Sequence, residues 1–166
     1  MDEHAALVSI AERLAAAGDD AAVVPTAGFD AQLVISTDML HASTDFPTGT
    51  TAFTRGWRAV AASLSDIAAM GARPVAAVAV IAEDTLEGEA IAAVIDGAEA
   101  VCESVGASYV GGDLDVSPEP AIVSTAVGTA DHPVRRGGAT AGEGVYVTGK
   151  IGRTRAAMEA FEAGDT

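Results

Sequence analysis

The chain has few cysteines, basic residues or aromatic residues. Cys102 is the only cysteine among 166 residues, so an internal disulfide and a cysteine-based metal site are both excluded. Nine basic residues stand against 24 acidic ones, and the net charge of −15 argues against a nucleic-acid or anionic-membrane surface. Because aromatic residues make up only 4% of the chain, a core must be built mainly from Ala, Val, Leu and Ile.

Two further features are missing, namely a basic and apolar N-terminal leader and any apolar run of membrane-spanning length. We therefore expect a cytoplasmic protein. The acidic residues are spread along the whole chain, and Lys150 is the only lysine. This composition favours a salt-adapted (halophilic) protein, with an ordinary acidic protein as the alternative.

The stretch from Trp57 to Pro74 predicts one helix, ended by Gly71 and then by Pro74. At about 100° per residue, one apolar stripe is predicted, made of Trp57, Val60, Ala61, Leu64, Ile67 and Ala68. Asp66 lies roughly opposite, among Ala62, Ser63, Ala69 and Met70. Small residues around a carboxylate indicate close approach by another subunit or by a ligand with metal; the alternative is a solvated Asp on an Ala-rich helix.

Apolar patterning predicts the other elements. Helices are predicted over 2–17, 85–106 and 153–163, and strands over 32–38, 75–82, 107–110, 121–129 and 144–148. The run 75–82 is nearly all apolar, which favours a strand buried on both faces. The fold class is therefore α+β (mixed α/β), with helices packed on one face of a mixed sheet. We expect a domain over 1–150, with 151–166 leading towards an absent C-terminal domain.

Acidic residues occur at the predicted ends of several elements, namely Asp19, Asp20, Asp38, Asp66 and Asp113. Such oxygen ligands suit a hard cation such as Mg²⁺, which in turn suggests a phosphate ligand. Taken separately, each acid could equally be a solvated loop residue. Gly111-Gly112 could be a tight turn or a phosphate loop, and Arg136 a phosphate ligand or a surface residue. No Walker A sequence and no G-x-G-x-x-G after a strand occurs.

Five motifs occur in the following order along the chain. They are Gly18-Asp-Asp, Ser36-Thr-Asp38, Leu64-Ser-Asp-Ile-Ala-Ala-Met-Gly-Ala72, Gly111-Gly-Asp113 and Arg136-Gly-Gly-Ala139. This set resembles the thiamine-monophosphate kinase family, in particular its N-terminal domain. The same superfamily contains aminoimidazole-ribonucleotide synthetase and selenophosphate synthetase. The resemblance implies ATP-dependent phosphorylation of thiamine monophosphate to thiamine diphosphate, assisted by Mg²⁺. It also implies a homodimer in which two sheets pair into a barrel-like ATP-binding interface.

Residue by residue, the resemblance implies Mg²⁺ ligands at Asp20, Ser36, Thr37, Asp38, Asp66 and Asp113. It implies contacts with the ATP phosphates at Gly112, Asp113 and Arg136, and no catalytic base. We accordingly expect Asp66 to face Asp20, Asp38 and Asp113.

The sequence departs from the family at three positions. Asp45 occupies the place of a substrate-contacting His, Ser63 replaces an Asn, and Asp96 stands where an aromatic residue often touches ATP. Two alternatives therefore stay open: a non-catalytic nucleotide- and Mg²⁺-binding dimerisation module, or a superfamily enzyme with another phosphate acceptor. Without a C-terminal domain, we expect weak nucleotide binding and little or no turnover.

Overall fold

The computed structural model describes residues 19–26 and 31–164, and the helix predicted over residues 2–17 lies outside them. Within these ranges the strands are β1 (Ala22–Val24), β2 (Gln32–His41), β3 (Arg73–Glu83), β4 (Ser108–Val116) and β5 (Ala121–Ala130). The helices are α1 (Ala42–Asp45), α2 (Ala52–Ala69), α3 (Gly88–Ser104) and α4 (Arg153–Ala163). None of these helices is long and apolar enough to cross a membrane.

The described strands form a mixed sheet in the order β1-β2-β5-β3-β4. β3 and β4 are parallel and are joined by α3, whereas the other neighbours are antiparallel. Helices α2 and α3 pack against each other and against one face of the sheet. The core lies between these layers, where Val60 and Ile67 of α2 meet Val34, Ala77 and Ala126 of the sheet. The predicted mixed α/β class, with helices on one face, is confirmed.

Helix α2 begins five residues before the predicted start. The Thr51 side chain caps it by accepting a hydrogen bond of 3.2 Å from the Thr54 amide. The helix ends at Ala69, and Gly71 adopts a left-handed φ of 64°, as a C-terminal glycine is expected to do.

The buried face of α2 differs from the predicted apolar stripe. Trp57 is 40% exposed and Ala68 is exposed, while Ser63 and Met70, predicted beside Asp66, are fully buried. The residues of α2 that are buried are Gly56, Ala59, Val60, Ser63, Leu64 and Ile67. Small residues allow this face to pack closely, so tertiary contact outweighs the hydrophobicity pattern at its edges.

Two glycines bring α2 and α3 into backbone contact. A Cβ at Gly56 would lie 1.9 Å from the Val94 carbonyl oxygen, and one at Gly97 would lie 2.0 Å from the Phe53 carbonyl oxygen. No side chain fits at either position, so the helix pair depends on glycine at both.

The prediction that 75–82 is buried on both faces is wrong for the single chain. Ala77, Ala79 and Ile81 are buried beneath the helices, whereas Val78 and Val80 are 38% and 39% exposed on the other face. Because no described element of the chain covers that face, the sheet presents apolar side chains there, including the exposed Met39 of β2 and Val110 of β4.

The predicted strand over 107–110 is longer than expected, because β4 continues through Gly111-Gly112-Asp113 to Val116. An irregularity in the β3–β4 pairing falls at Gly111, whose φ is 134°. A Cβ at Gly112 would lie 1.7 Å from the Ala79 carbonyl oxygen, so the backbones approach as only glycine permits. These glycines therefore shape an edge strand and do not form a separate loop after it.

The strand predicted over 144–148 is not formed. Residues 144–148 carry no strand pairing, and Val145 is 95% exposed. An apolar run becomes a strand only when it pairs with a strand edge, and 144–148 pairs with none in the described part of the chain.

Candidate functional site

The clearest contact between predicted ligands joins β2 to α2. Ser36 is buried on the helix-facing side of β2, and its Oγ donates a hydrogen bond of 2.6 Å to Oδ2 of Asp66. Asp66 is half-buried. Two residues along, Asp38 lies on the same side of β2, in register with the buried Ser124. The structure thus gathers Ser36, Asp38 and Asp66 at one place beneath α2.

Thr37 points to the opposite face of β2 because side chains alternate along a strand. Its Oγ1 lies 2.9 Å from the Ser124 carbonyl oxygen and 2.9 Å from Oγ1 of Thr125 on β5. Its hydroxyl is therefore already paired within the sheet.

Asp20 and Arg136 meet beside this end of β2. Asp20 lies two residues before Ala22, which is where β1 begins to pair with β2, opposite Ile35. The Arg136 guanidinium donates to Oδ1 of Asp20 at 2.6 Å. This ion pair connects the loop after β5 to the residues that precede β1. It also places the Arg136 cation against Asp20, a predicted metal ligand.

Asp19 also contacts the loop that carries Arg136. Its Oδ1 accepts hydrogen bonds of 3.1 Å from the amides of Arg136 and Asp20. Burial by itself raises the pKa of Asp19, but these hydrogen bonds and the charges of Arg136 and Arg135 outweigh it. The pKa of Asp19 therefore lies below its ordinary value.

Asp113 lies elsewhere on the sheet. Asp38 pairs with Ser124, Ser124 with Ala79, and Ala79 with Gly112, so three strand spacings separate Asp38 from the residue before Asp113. At about 4.8 Å per spacing this is about 14 Å, too far for two carboxylates to share one ion. Among the described residues no three His, Cys, Asp or Glu side chains are grouped to hold a metal.

The expectation that Asp66 faces Asp20, Asp38 and Asp113 together is therefore wrong within one chain. Asp66 contacts Ser36, and Asp113 lies on the outer strand β4. The sequence could not reveal this, because it does not show the order of the strands in the sheet, and that order puts β4 at the far edge. The assignment of Asp113 as a ligand stays a prediction.

Asp45 is held by its own turn. Its Oδ2 accepts from the His41 amide at 2.7 Å and lies 3.0 Å from Oγ1 of Thr44. Asp45 also lines a cleft of about 880 Å³ between the end of β2, residues 45–51, α2 and α4. Asp38 lines the same cleft, so the predicted substrate residue and a predicted metal ligand share one cavity.

Sequence reasoning missed the walls of this cleft. Phe46, Trp57, Met158 and Phe161 line it, although the helical stripe places Trp57 in the core. The small residues of α2 were the available signal: Ala61, Ala62 and Ser65 face the cleft, where small side chains leave it open.

The two other departures from the resemblance lie outside the cleft. Ser63 is buried, and its Oγ lies 3.2 Å from the Val60 carbonyl oxygen and 2.9 Å from Oγ of Ser124. Asp96 is exposed on α3. Ser63 therefore acts in packing between α2 and β5.

The sequence of the chain matches a known protein family. Residues 18–130 match the family model described as AIR synthase related protein, N-terminal domain. The chain belongs to this family. The matched range contains β1 to β5, α2 and α3, and with them every predicted ligand except Arg136.

Three relatives illustrate the likeness. A thiamine-monophosphate kinase of Halobacterium salinarum is 52% identical over 166 residues, which are 100% of this chain and 56% of the relative. One of Methanospirillum hungatei is 52% identical over 123 residues, 73% of this chain and 42% of the relative. AaThiL complexed with AMPPCP and TMP superposes with a TM-score of 0.90 at 27% identity, covering 98% of this chain and 53% of that one. The chain thus spans about half the length of these relatives.

Proposed function

We propose that this protein is the N-terminal half of a thiamine-monophosphate kinase, which transfers the γ-phosphoryl group of ATP to thiamine monophosphate. The observation that carries the proposal is the 52% identity to such a kinase along all 166 residues. Residues 1–150 would form its ATP- and magnesium-binding domain, and residues 151–166 would lead out of it.

The chemistry of the reaction suits the residues present. The acceptor is a phosphate monoester that is mostly ionised at neutral pH, since its second pKa is about 6. It therefore needs no protein base, and the main difficulty is bringing two anions together. In a chain with this excess of acidic residues, bound cations would relieve the repulsion between the two anions.

The donors beside α2 fit Mg²⁺. Ser36, Asp38 and Asp66 offer oxygen atoms only, as a hard cation prefers, and Asp66 is held in place by its 2.6 Å hydrogen bond to Ser36. Thr37, on the opposite face of β2, and Asp20, paired with Arg136, stay proposed ligands. Bound Mg²⁺ would supply charge neutralisation for the phosphates.

The remaining predicted ligands define a second part of the proposed site. Gly112 and Asp113 stay proposed ligands of the ATP phosphates and of Mg²⁺, about 14 Å away on β4. Arg136 is already paired with Asp20, so it would reach a phosphate only from that position or by exchanging its partner.

We also propose that the open face of the sheet pairs with a second copy of this chain. Val78, Val80, Met39 and Val110 are exposed there. An apolar face of this kind on a sheet is most stable when another sheet covers it. This pairing would build the barrel-like interface that the resemblance implies.

Calorimetry with AMPPCP, with and without Mg²⁺, tests the proposed site. We expect magnesium-dependent binding that Asp38→Asn and Asp66→Asn weaken about tenfold or more, because each removes a charged ligand. Glu103→Gln, an exposed carboxylate change on α3, is the matched control and should leave binding unchanged.

Binding without Mg²⁺, or binding that the two variants leave intact, would contradict the proposed site. Product analysis separates the alternatives. Thiamine diphosphate formed from ATP and thiamine monophosphate supports the kinase. Magnesium-dependent binding with transfer only to another phosphate acceptor indicates a different enzyme of the superfamily, and binding by the full-length protein without any transfer indicates a non-catalytic module.

A further inference from the structure

The buried polar side chains of the described residues are gathered at one interface. They are Ser36, Ser63 and Ser124, with 5%, 0% and 0% of their surface exposed, and all of them lie where α2 packs on β2 and β5. Removing a hydroxyl group from water costs free energy that an alanine at the same position would not cost. Because the rest of this core is apolar, the concentration of hydroxyl groups beside the predicted Mg²⁺ ligands indicates a role beyond packing.

Ser124 joins β5 to α2. Its Oγ donates a hydrogen bond of 2.7 Å to the Ala59 carbonyl oxygen and lies 2.9 Å from Oγ of Ser63, one helical turn further along. The Ser63 Oγ also lies 3.2 Å from the Val60 carbonyl oxygen, so each hydroxyl proton has an acceptor. The two hydroxyl groups are enclosed in protein, and water therefore does not compete for these hydrogen bonds.

The two serines stand next to the predicted Mg²⁺ ligands. Ser124 is the partner of Asp38 in the antiparallel β2–β5 register, and side chains opposed in this way share one face of the sheet with Cβ atoms about 4.5–5.5 Å apart. On α2, Ser63 and Asp66 are three residues apart and are neighbours on one side of the helix. Asp66 then meets the sheet through its 2.6 Å hydrogen bond with Ser36. The contact between the two serines therefore holds the helix to the sheet beside both carboxylates.

We propose that Ser63 and Ser124 are positioning residues, which fix α2 against β5 and so set where Asp66 lies relative to Asp38. The inference rests on the proposed function, because both carboxylates are proposed Mg²⁺ ligands. A helix held at Ala59 and Ser63 keeps its rotation and its distance from β2, and it carries Asp66 on the same rigid element. Serine at position 63, where the resemblance gives an asparagine, adds fewer atoms to the interface and so permits this close contact.

A double-mutant cycle read out by Mg²⁺ titration tests the two serines. Ser63→Ala and Ser124→Ala each remove the hydrogen bond between the two side chains without adding an atom. Each should raise the Mg²⁺ concentration needed for half-maximal AMPPCP binding by about three- to tenfold, measured by calorimetry. Because the two hydroxyl groups act together, the double variant should lose about as much as Ser124→Ala alone. Additive losses would show that the serines act independently and would overturn their joint role.

Two variants of α3 separate positioning from stability. Ser104 resembles Ser63 in that its Oγ donates to the carbonyl oxygen three residues earlier, at 2.7 Å, and Ser104→Ala should leave the Mg²⁺ dependence unchanged. Val101→Ala, at a buried position, should lower the unfolding temperature at least as much as Ser124→Ala and also leave the Mg²⁺ dependence unchanged. An equal shift of the Mg²⁺ dependence in Val101→Ala and Ser124→Ala would reduce the two serines to a packing contact and overturn the proposal.

Crystal structures of the variants distinguish this inference from the proposed function, because they need no bound metal. In Ser124→Ala the distance between Ser36 Oγ and Asp66 Oδ2 should increase from 2.6 Å to beyond hydrogen-bonding range, whereas Ser104→Ala should preserve it. An unchanged distance together with an unchanged Mg²⁺ dependence in Ser124→Ala would refute the positioning role and leave the kinase proposal standing. A lengthened distance in a protein whose AMPPCP binding never depends on Mg²⁺ would refute the proposed metal site and leave the positioning role standing.

Discussion

At the scale of single residues, the position of Asp66 depends on one hydroxyl group. Ser36 donates to its Oδ2 at 2.6 Å from within the sheet, which holds the carboxylate against β2 instead of leaving it in solvent. The motifs of both residues are visible in the sequence, but their hydrogen bond is not, because 30 residues separate them. Only the packing of α2 on β2 brings them together.

Asp19 gives a residue-scale prediction that depends on pH. Its pKa in the folded state is lowered from an ordinary value of 3.8, so the carboxylate stabilises the fold above that pH. The contribution is lost as the pH falls through the lower, folded-state pKa. Asp19→Asn should therefore lower the unfolding temperature at neutral pH, and the difference from the parent should vanish in strong acid.

Thermal unfolding recorded across a pH series measures this effect. Asp131→Asn removes the same charge from an exposed loop position and serves as the control. An Asp19→Asn protein as stable as the Asp131→Asn protein at neutral pH would show that the contacts to Arg136 contribute nothing.

At the scale of elements, the pairing of α2 with α3 depends on glycine. The chain could be divided into helices and strands from its periodicity, and α3, α4, β2 and β5 fall close to their predicted ranges. The centre of the buried face of α2 could be predicted as well, since Val60, Leu64 and Ile67 are buried, but its edges could not, because Gly56 and Gly97 let backbones touch where apolar patterns expect larger side chains. Close approach rotates the buried face of α2 away from Trp57 and leaves that residue to the cleft.

Gly97→Ala tests this close approach. Alanine is the better helix former by about 1 kcal/mol, yet its Cβ would lie 2.0 Å from the Phe53 carbonyl oxygen. We expect a net loss of about 1–3 kcal/mol in the free energy of unfolding, as for other overpacked cores, measured by urea denaturation. Gly88→Ala at the start of α3 meets nothing within 4 Å and should be neutral or slightly stabilising. Equal stability of the two variants would contradict the packing.

At the scale of the whole molecule, the sheet is covered on one face and open on the other. The all-apolar run 75–82 predicts burial on both sides, whereas the chain itself buries one. The two observations agree if a second copy supplies the missing cover.

Val80→Lys tests the proposed pairing, because it places a charge on the open face without touching the core. Light scattering should give the parent protein twice the 16.5 kDa of one chain and the variant a single chain mass. Val145→Lys, at a 95% exposed position away from the sheet, should leave the dimer intact. A parent protein of 16.5 kDa would refute the dimer.

The net charge gives a second prediction at this scale. With 24 acids against nine bases, folding concentrates like charges, and salt screens their repulsion. Raising KCl from about 0.1 M to about 2 M should raise the unfolding temperature, since the screening length falls from about 10 Å to under 3 Å. Sucrose, which stabilises without screening, is the control. An unchanged unfolding temperature in salt would contradict electrostatic adaptation.

The sequence by itself determined the mixed α/β class, most element boundaries and the identity of the acidic motifs, because periodicity, glycine and charge act locally along the chain. Tertiary structure alone decided that Asp66 meets Ser36, that Asp113 lies about 14 Å from Asp38, and that Trp57 lines a cleft. These distances follow from strand order and from helix contact through glycine. Strand order and helix contact both bring together residues that are far apart in the chain, and the local pattern of apolar and polar residues gives no information about such contacts.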